Sequence, residues 1–325
     1  MFIGQCSTSL SPTMQCVKPL TRASSGGAYL RARADAKPFT GGMYWKTEGA
    51  YAYLVRTHVK NRQERLGPRS PSTEAAYATF HQFKKTKEHR LASLTAALLE
   101  AQRQNKALRA GAVPSIAVSV LNAVREAGLQ DKVLAVGTYA LYAYAAAAGV
   151  HMPSKGRATA AADLLGDARH RIQLLVDPDL DMAALLPALT GVDASFEGGP
   201  ATGLVQTARN SKGFEVVLLP RGANAPESLA PSSTALDTEL WLEWAGQAGV
   251  QAQRSVFEYP VISATGRMAT LRTVGPQTFL EIAHALAAQA PVESPEGQRA
   301  GHQARLVQAL LDEELLMACA GLPTR

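Results

Sequence analysis

Three closely spaced acids are the first residues whose types suggest chemistry. Asp177, Asp179 and Asp181 have the spacing of the first ligands in a calcium-binding loop. Such a loop also needs a glycine at its sixth position and a bidentate glutamate at its twelfth, where this chain has Met182 and Ala188. The sequence therefore does not predict a calcium loop.

The other reactive or metal-binding residue types are scattered. The seven histidines include no HExxH motif and no pair spaced four residues apart, which argues against a zinc protease. The cysteines, Cys6, Cys16 and Cys319, have no CxxC spacing, so we expect neither a structural zinc site nor a disulfide framework. A Gly-x-Ser-x-Gly motif is also missing, so no serine nucleophile is predicted.

Hydrophobic periodicity and chain breakers predict the elements that must position any site. We predict helices over 72–109, 112–126, 139–148, 181–189, 239–248, 276–288 and 301–319. We predict strands within 43–66 and 159–176, and over 132–136, 202–209, 214–219, 255–263 and 268–274. This alternation predicts an α/β or α+β fold.

A strand, a Gly-Thr turn and a helix are followed by an acidic segment and two antiparallel strands. The matching stretches are YLVRTHVKNRQERLGPRSPSTEAAYATFH (53–81), VLAVGTYALYAYAAAAGVHM (133–152), ATAAADLLGDARHRI (158–172), SKGFEVVLLP (211–220) and GRMATLRTVGPQTF (266–279), and the stretch 133–152 is the most specific. With these stretches the chain resembles the nucleotidyltransferase fold, and more narrowly a bacterial family of that fold with a small basic N-terminal module. The resemblance covers about residues 43–318. It implies a mixed sheet with flanking helices, a helical C-terminal region, and a small N-terminal β module with a long helix.

The resemblance also implies a site for nucleotidyl transfer. In the family, two Asp separated by one residue and a third Asp on a neighbouring strand hold two Mg²⁺ ions, while a Gly-Ser/Thr turn opens a helix that favours a triphosphate. Gly137 and Thr138 match the turn and are the candidate nucleotide-binding residues. Asp163 matches the second Asp and is the candidate catalytic and metal-binding residue.

Two of the three expected carboxylates are missing. Ala161 stands where the first Asp is expected, and Val217 stands where the third is expected. Asp167 would lie about 13 Å along a strand from Asp163, and Glu215 about 7 Å from Val217, so neither replaces a lost ligand. We therefore expect Mg²⁺ as a cofactor only if the protein is active.

Several candidate residues also have a structural interpretation. Asp163 is either a surviving metal ligand or a solvent-facing acid at a strand end. Thr138 either binds phosphate or caps a helix. Tyr139, Tyr142 and Tyr144 either stack on a base or pack their helix onto the sheet.

Charge is distributed unevenly along the chain. Residues 1–110 contain 18 Lys and Arg and 6 Asp and Glu, whereas residues 111–325 contain 15 and 21. We call residues 1–110 the basic front, and its excess of Lys and Arg predicts contact with RNA or another acidic partner. The alternative interpretation is that these Lys and Arg side chains only face solvent on a helix and a tail. In the long helix, Lys84 and Lys87 interrupt an apolar seam, so we expect its second half to pack and Lys84 to Arg90 to stay exposed.

These patterns predict four regions and leave three functions open. The regions are a disordered tail (1–40), a small basic β module with a long helix (41–111), a nucleotidyltransferase-like core (112–233), and a C-terminal hairpin with helices (234–325). The first possible function is that of a degenerate nucleotidyltransferase that binds a nucleotide or an acidic partner. The second is an active transferase that moves a nucleoside monophosphate from a nucleoside triphosphate to a hydroxyl group of RNA, protein or a small molecule. The third is an interaction protein that uses its long basic helix. Because there is neither a long apolar run nor a secretory signal, we expect cytoplasmic residence without a membrane partner.

Overall fold

The computed structural model describes residues 23–58, 62–150, 170–199, 205–221, 241, 256–291 and 294–316. Contacts divide the chain into two compact units, and the division falls between Arg103 and Gln104, inside a long helix. The predicted boundaries of the four regions stay predictions. The architecture is α+β, with mixed and antiparallel sheets flanked by helices.

The first unit contains helix α1 (Ala23–Ala36), strands β1 (Gly42–Glu48), β2 (Tyr51–Thr57) and β3 (Gln63–Pro68), and most of helix α2 (Pro71–Ala107). The strands form an antiparallel sheet in the order β1-β2-β3. Met43, Leu54 and Phe80 form its buried core, so the strands predicted within 43–66 and the long helix are both present.

Helix α1 corrects the prediction of a disordered tail (1–40) for residues 23–36. Ala32 is buried at 2% exposure, and Asp35 pairs with Lys87 of α2 at 3.1 Å. These tertiary contacts offset the conformational entropy that is lost when α1 becomes ordered. The polar composition of the segment does not reveal such contacts. Residues 1–22 lie outside the described residues.

The basic stretch Lys84 to Arg90 of α2 is exposed, as predicted, except at Lys84 and Lys87, which are half-buried. Lys84 donates a hydrogen bond from Nζ to the carbonyl of Gly41 at 2.5 Å, and Lys87 binds Asp35. Phe80, in the first half of the helix, is buried. The two lysines therefore lie on the packed side of α2, where their ammonium groups donate hydrogen bonds. The first half of the helix packs as well, although we expect from the sequence that only its second half does.

The cap of α2 lies slightly earlier than the sequence suggested. The N–H of Thr73 donates to Oγ of Ser70 at 3.3 Å, and Pro71 is the first helical residue. Ser70 is therefore the capping side chain, where we had predicted Ser72 or Thr73. Proline suits the first helical position, because a backbone N–H there would have no acceptor within the helix and proline has none to lose.

The second unit contains helices α3 (Ser115–Glu126), α4 (Thr138–Ala147), α5 (Met182–Val192), α6 (Pro276–Gln289) and α7 (Pro295–Asp312). Its strands are β4 (Val133–Val136), β5 (Arg171–Val176), β6 (Glu197–Gly198), β7 (Gln206–Arg209), β8 (Glu215–Pro220), β9 (Val256–Ile262) and β10 (Met268–Val274). The predicted elements over 159–169 and 239–248 lie outside the described residues, apart from Trp241.

Strands β4 to β8 form a mixed five-stranded sheet in the order β4-β5-β8-β7-β6. Strands β5 and β8 are parallel, and the other neighbours are antiparallel. Helix α5 begins on one face, where the N–H of Met182 donates to Oε1 of Gln206 at 2.6 Å. Because side chains alternate along a strand, Thr207 points to the opposite face.

Helix α4 is buried along most of its length, with Tyr139 to Ala145 all in the core. It contacts the antiparallel hairpin of β9 and β10, where the hydroxyl of Tyr144 donates to the carbonyl of Val274 at 2.6 Å. Its alanines permit this close packing on several sides. In the described ranges no helix combines the length and apolarity needed to cross a membrane.

Candidate functional site

The Gly137–Thr138 turn lies between the end of β4 and the start of α4. Gly137 has φ 65° and ψ −145°, a backbone conformation that glycine adopts and other residues avoid. The turn directs the chain straight from a buried strand into a buried helix. Helix α4 begins directly after Gly137, and the positive end of its dipole at this N-terminus favours an anion.

The hydroxyl of Thr138 is held by a helix that is distant in sequence. Its Oγ1 accepts a hydrogen bond from Nε2 of Gln303 in α7 at 3.3 Å. Gly137 occupies the capping position of α4, so the interpretation of Thr138 as the helix cap is wrong. Phosphate binding by Thr138 stays a prediction.

Gln303 was missed by the sequence analysis. It is only 7% exposed and lies on the buried side of α7 with Ala300, Ala304 and Val307. The sequence does contain a signal for it, because Gln303 lies three residues after Ala300 and four before Val307, on the apolar face of the helix. Its contact with Thr138 links the turn to the C-terminal helices.

One row of paired residues crosses the sheet directly beside the turn. Val136 of β4 is opposite Gln173 of β5, Gln173 is opposite Val217 of β8, and Val217 is opposite Thr207 of β7. Paired residues point to the same face of a sheet, so these four side chains share a face. Val217 is 3% exposed and Gln173 is 5% exposed. The position expected to hold the third carboxylate is therefore apolar, buried and next to a buried amide.

A second row on the same face alternates in charge. Arg171 is opposite Glu215, Glu215 is opposite Arg209, and Arg209 is opposite Glu197. Because β4 runs antiparallel to β5 and ends opposite Gln173, the Gly137–Thr138 turn lies at the same end of the sheet as this row. The turn therefore has a guanidinium group on the neighbouring strand.

The described residues do not fit a site for two Mg²⁺ ions. Glu215 is about 7 Å along the strand from Val217, too far to take its place. Gln173 can offer a neutral amide oxygen, which is a weaker ligand for a hard cation than a carboxylate. Within the described ranges, no three His, Cys, Asp or Glu side chains form a group that could hold a metal. Asp163 and Ala161 lie outside these ranges, so the role of Asp163 stays a prediction.

The three tyrosines of α4 belong to the core. Tyr139, Tyr142 and Tyr144 are 1%, 5% and 0% exposed, so no ring face is free to stack on a base. Burial raises the pKa of Tyr139 and Tyr144 well above the usual value for a phenol. The base-stacking interpretation is wrong, and these rings pack the helix into the unit.

The acids that first suggested chemistry have three separate structural partners. Asp177 pairs with Arg221 at 2.9 Å, Asp179 pairs with Lys132, and Asp181 caps α5. A hydrogen bond from Lys132 lowers the pKa of Asp179. These acids follow the end of β5, whereas the Gly137–Thr138 turn lies beside its beginning, so they are not part of the candidate site.

A family model described as a nucleotidyltransferase matches residues 115–320, more than half of the 325-residue chain. No curated protein and no solved structure matches. The matched span contains the Gly137–Thr138 turn, both rows across the sheet, and Gln303. The chain therefore belongs to this nucleotidyltransferase family.

Proposed function

We propose that this chain binds a nucleoside triphosphate at the Gly137–Thr138 turn without transferring its nucleotidyl group. The observation that carries the proposal is Val217, a buried apolar side chain at the strand position where the family resemblance implies a carboxylate. Binding is supported by the helix N-terminus after Gly137 and by Arg171 on the next strand at the same sheet end. Both favour negatively charged phosphates.

Thermal unfolding of the full chain with ATP, CTP, GTP or UTP tests the binding half of this proposal. A ligand at a hundred times its Kd stabilises the native state by about 2.7 kcal/mol, so at least one nucleotide is expected to raise the Tm. The Arg171→Gln variant should show a smaller rise. Lys132→Gln is the charge-matched control, because Lys132 precedes β4 at the other end of the sheet. The absence of a shift with every nucleotide would overturn the proposal.

Transfer of a label from α-phosphate-labelled triphosphates tests the catalytic half. We expect no label on RNA, protein or small-molecule acceptors with Mg²⁺ present. Transfer by the wild-type chain would instead support an active transferase that uses Asp163 with unusual metal ligands.

Restoring both missing carboxylates is a sharper version of this test. The double variant Ala161→Asp with Val217→Asp should gain Mg²⁺-dependent transfer if the site is degenerate. A variant that folds, as circular dichroism would report, but remains inert would contradict the assignment of these two positions.

We also propose that the basic front binds an acidic partner. Residues 1–110 contain 18 Lys and Arg but only 6 Asp and Glu, and this excess of positive charge favours such a partner. The alternative is that α2 is a binding surface for another protein. Cytoplasmic residence is part of the same proposal. Retention on heparin that weakens with salt is expected, and no retention at low salt would contradict it.

A further inference from the structure

The outer face of the three-stranded sheet carries tyrosines and cations together. Lys46 of β1 is opposite Tyr53 of β2, and Tyr44 is opposite Val55, so these side chains point to one face. Glu48 is opposite Tyr51 on the same face. We call this surface the tyrosine face, and define it by Tyr44, Lys46, Glu48, Tyr51, Tyr53 and Arg65.

The opposite face of this sheet is occupied by α2. Trp45 and Leu54 alternate with the residues of the tyrosine face, and Leu54 is fully buried in the core with Phe80 of α2. The ring of Trp45 lies 5.9 Å from that of Tyr77, also in α2. The tyrosine face therefore points away from the helix.

The tyrosines of this face are accessible. Tyr51 is 66% exposed and Tyr44 is 39% exposed, whereas the tyrosines of α4 are buried. The guanidinium of Arg65 lies over the ring of Tyr53, 3.6 Å from its centroid. The face thus offers flat aromatic surfaces and a stacked planar cation side by side.

The charges on the face favour an anion. Lys46 and Arg65 both pair with Glu48, at 3.0 Å and 2.5 Å, so two cations share one carboxylate. All three side chains remain about half exposed. A polyanion can therefore reach both cations without displacing any buried group.

We propose that the tyrosine face binds single-stranded RNA, with bases stacked on Tyr44 and Tyr51 and phosphates at Lys46 and Arg65. Exposed aromatic rings set among cations are the chemistry that single-stranded nucleic acids require. The tyrosine hydroxyls can also hydrogen-bond a ribose 2′-hydroxyl, which DNA lacks. This inference rests on the acidic-partner role proposed for the basic front, and it names the surface and the partner.

Fluorescence anisotropy of the full chain with a labelled oligouridine of about twelve nucleotides tests this inference. We expect saturable binding that weakens as salt rises. The double variant Tyr44→Ala with Tyr51→Ala should weaken RNA binding about tenfold or more, because each stacked base contributes separately. Tyr51→Phe keeps the stacking ring and should lose less RNA affinity than the double alanine variant.

Two lysine variants separate the surface from the total charge. Lys46→Gln and Lys85→Gln each remove one cation, and Lys85 is an exposed residue of α2, across the sheet from the tyrosine face. We expect Lys46→Gln to weaken RNA binding more. Equal losses from the two variants would overturn the assignment of the face.

Further outcomes distinguish this inference from the broader proposal. Binding to heparin but not to RNA would overturn the RNA inference and leave the acidic-partner role standing. Oligothymidine bound as tightly as oligouridine would overturn the choice of RNA over DNA. Polyglutamate bound with RNA-like affinity, and unaffected by loss of the tyrosines, would point to an acidic protein. Thermal unfolding of each variant in the absence of RNA confirms that it is folded.

Discussion

Gly137 is the residue on which the geometry of the candidate site depends most directly. Its φ of 65° and ψ of −145° are unfavourable for any residue with a Cβ. We expect Gly137→Ala to lower the free energy of unfolding by about 1–3 kcal/mol, as measured by urea denaturation. We also expect the nucleotide-dependent rise in Tm to be lost.

Gly301→Ala is the matched control for this variant. Gly301 lies within α7, and a Cβ there would meet nothing within 4 Å. Because alanine has the higher helix propensity, the control should be neutral or stabilising by up to about 1 kcal/mol. If the two changes lower the free energy of unfolding equally, the backbone conformation at position 137 does not specifically require glycine.

Tyr144 makes stability depend on pH in the alkaline range. Burial raises its pKa in the folded protein, whereas the unfolded phenol ionises near pH 10. Its contribution to stability is therefore fully present below about pH 10, and it is lost as the pH rises towards the folded-state pKa. The expected loss is up to about 1.4 kcal/mol per pH unit from this group.

Tyr144→Phe isolates the contribution of this hydroxyl. The variant should lose about 1–2 kcal/mol at neutral pH, because the hydrogen bond to the carbonyl of Val274 is removed. Its stability should then decline less steeply above about pH 10. Urea unfolding of both proteins at neutral and alkaline pH measures the two effects. Parallel pH profiles would contradict the buried, neutral state of this phenol.

At the scale of single elements, Asp181 determines where α5 begins. Its Oδ1 accepts a hydrogen bond from the N–H of Ala184 at 2.8 Å. Asp181→Ala should lower the free energy of unfolding by about 1 kcal/mol, the usual cost of a lost helix cap. Asp179→Ala removes the same charge two residues earlier, from a surface ion pair, and should cost less. Chemical denaturation of the two variants compares them, and a larger loss for Asp179→Ala would be inconsistent with the cap.

Element positions were largely predictable because local patterns determine them. The Gly137 break and the gap between the strands predicted over 202–209 and 214–219 each predict a boundary without tertiary information. The disorder predicted for α1 was wrong because its stability depends on Ala32 and Asp35, whose contacts come from tertiary structure. Composition does not reveal such contacts.

At the scale of the whole molecule, the two compact units have separate cores. Leu54 is fully buried in the sheet of the first unit, and Leu174 is fully buried in the five-stranded sheet of the second. Truncating either leucine to alanine should cost about 2–5 kcal/mol within its own core. We expect Leu54→Ala to accelerate amide hydrogen exchange in β1 to β3 and Leu174→Ala to accelerate it in β4, β5 and β8.

Peptide-level exchange measured by mass spectrometry distinguishes independent units from a single cooperative one. Each leucine variant serves as the control for the other, because both changes remove the same atoms from a fully buried position. If either variant accelerates exchange equally in both sheets, the two cores unfold together, and the two units are not independently stable.

The sequence by itself determined the fold class, the Gly137–Thr138 turn and the apolar identity of position 217, because local patterns and a family resemblance record residue types. The tertiary structure decided which residues meet. Strand register places Gln173 beside Val217 and aligns Arg171 with Glu215, while α7 brings Gln303 to Thr138. It also decided that the tyrosines of α4 are buried and those of β1 and β2 exposed. Pairing and burial depend on contacts between residues far apart in the chain, which no local pattern encodes.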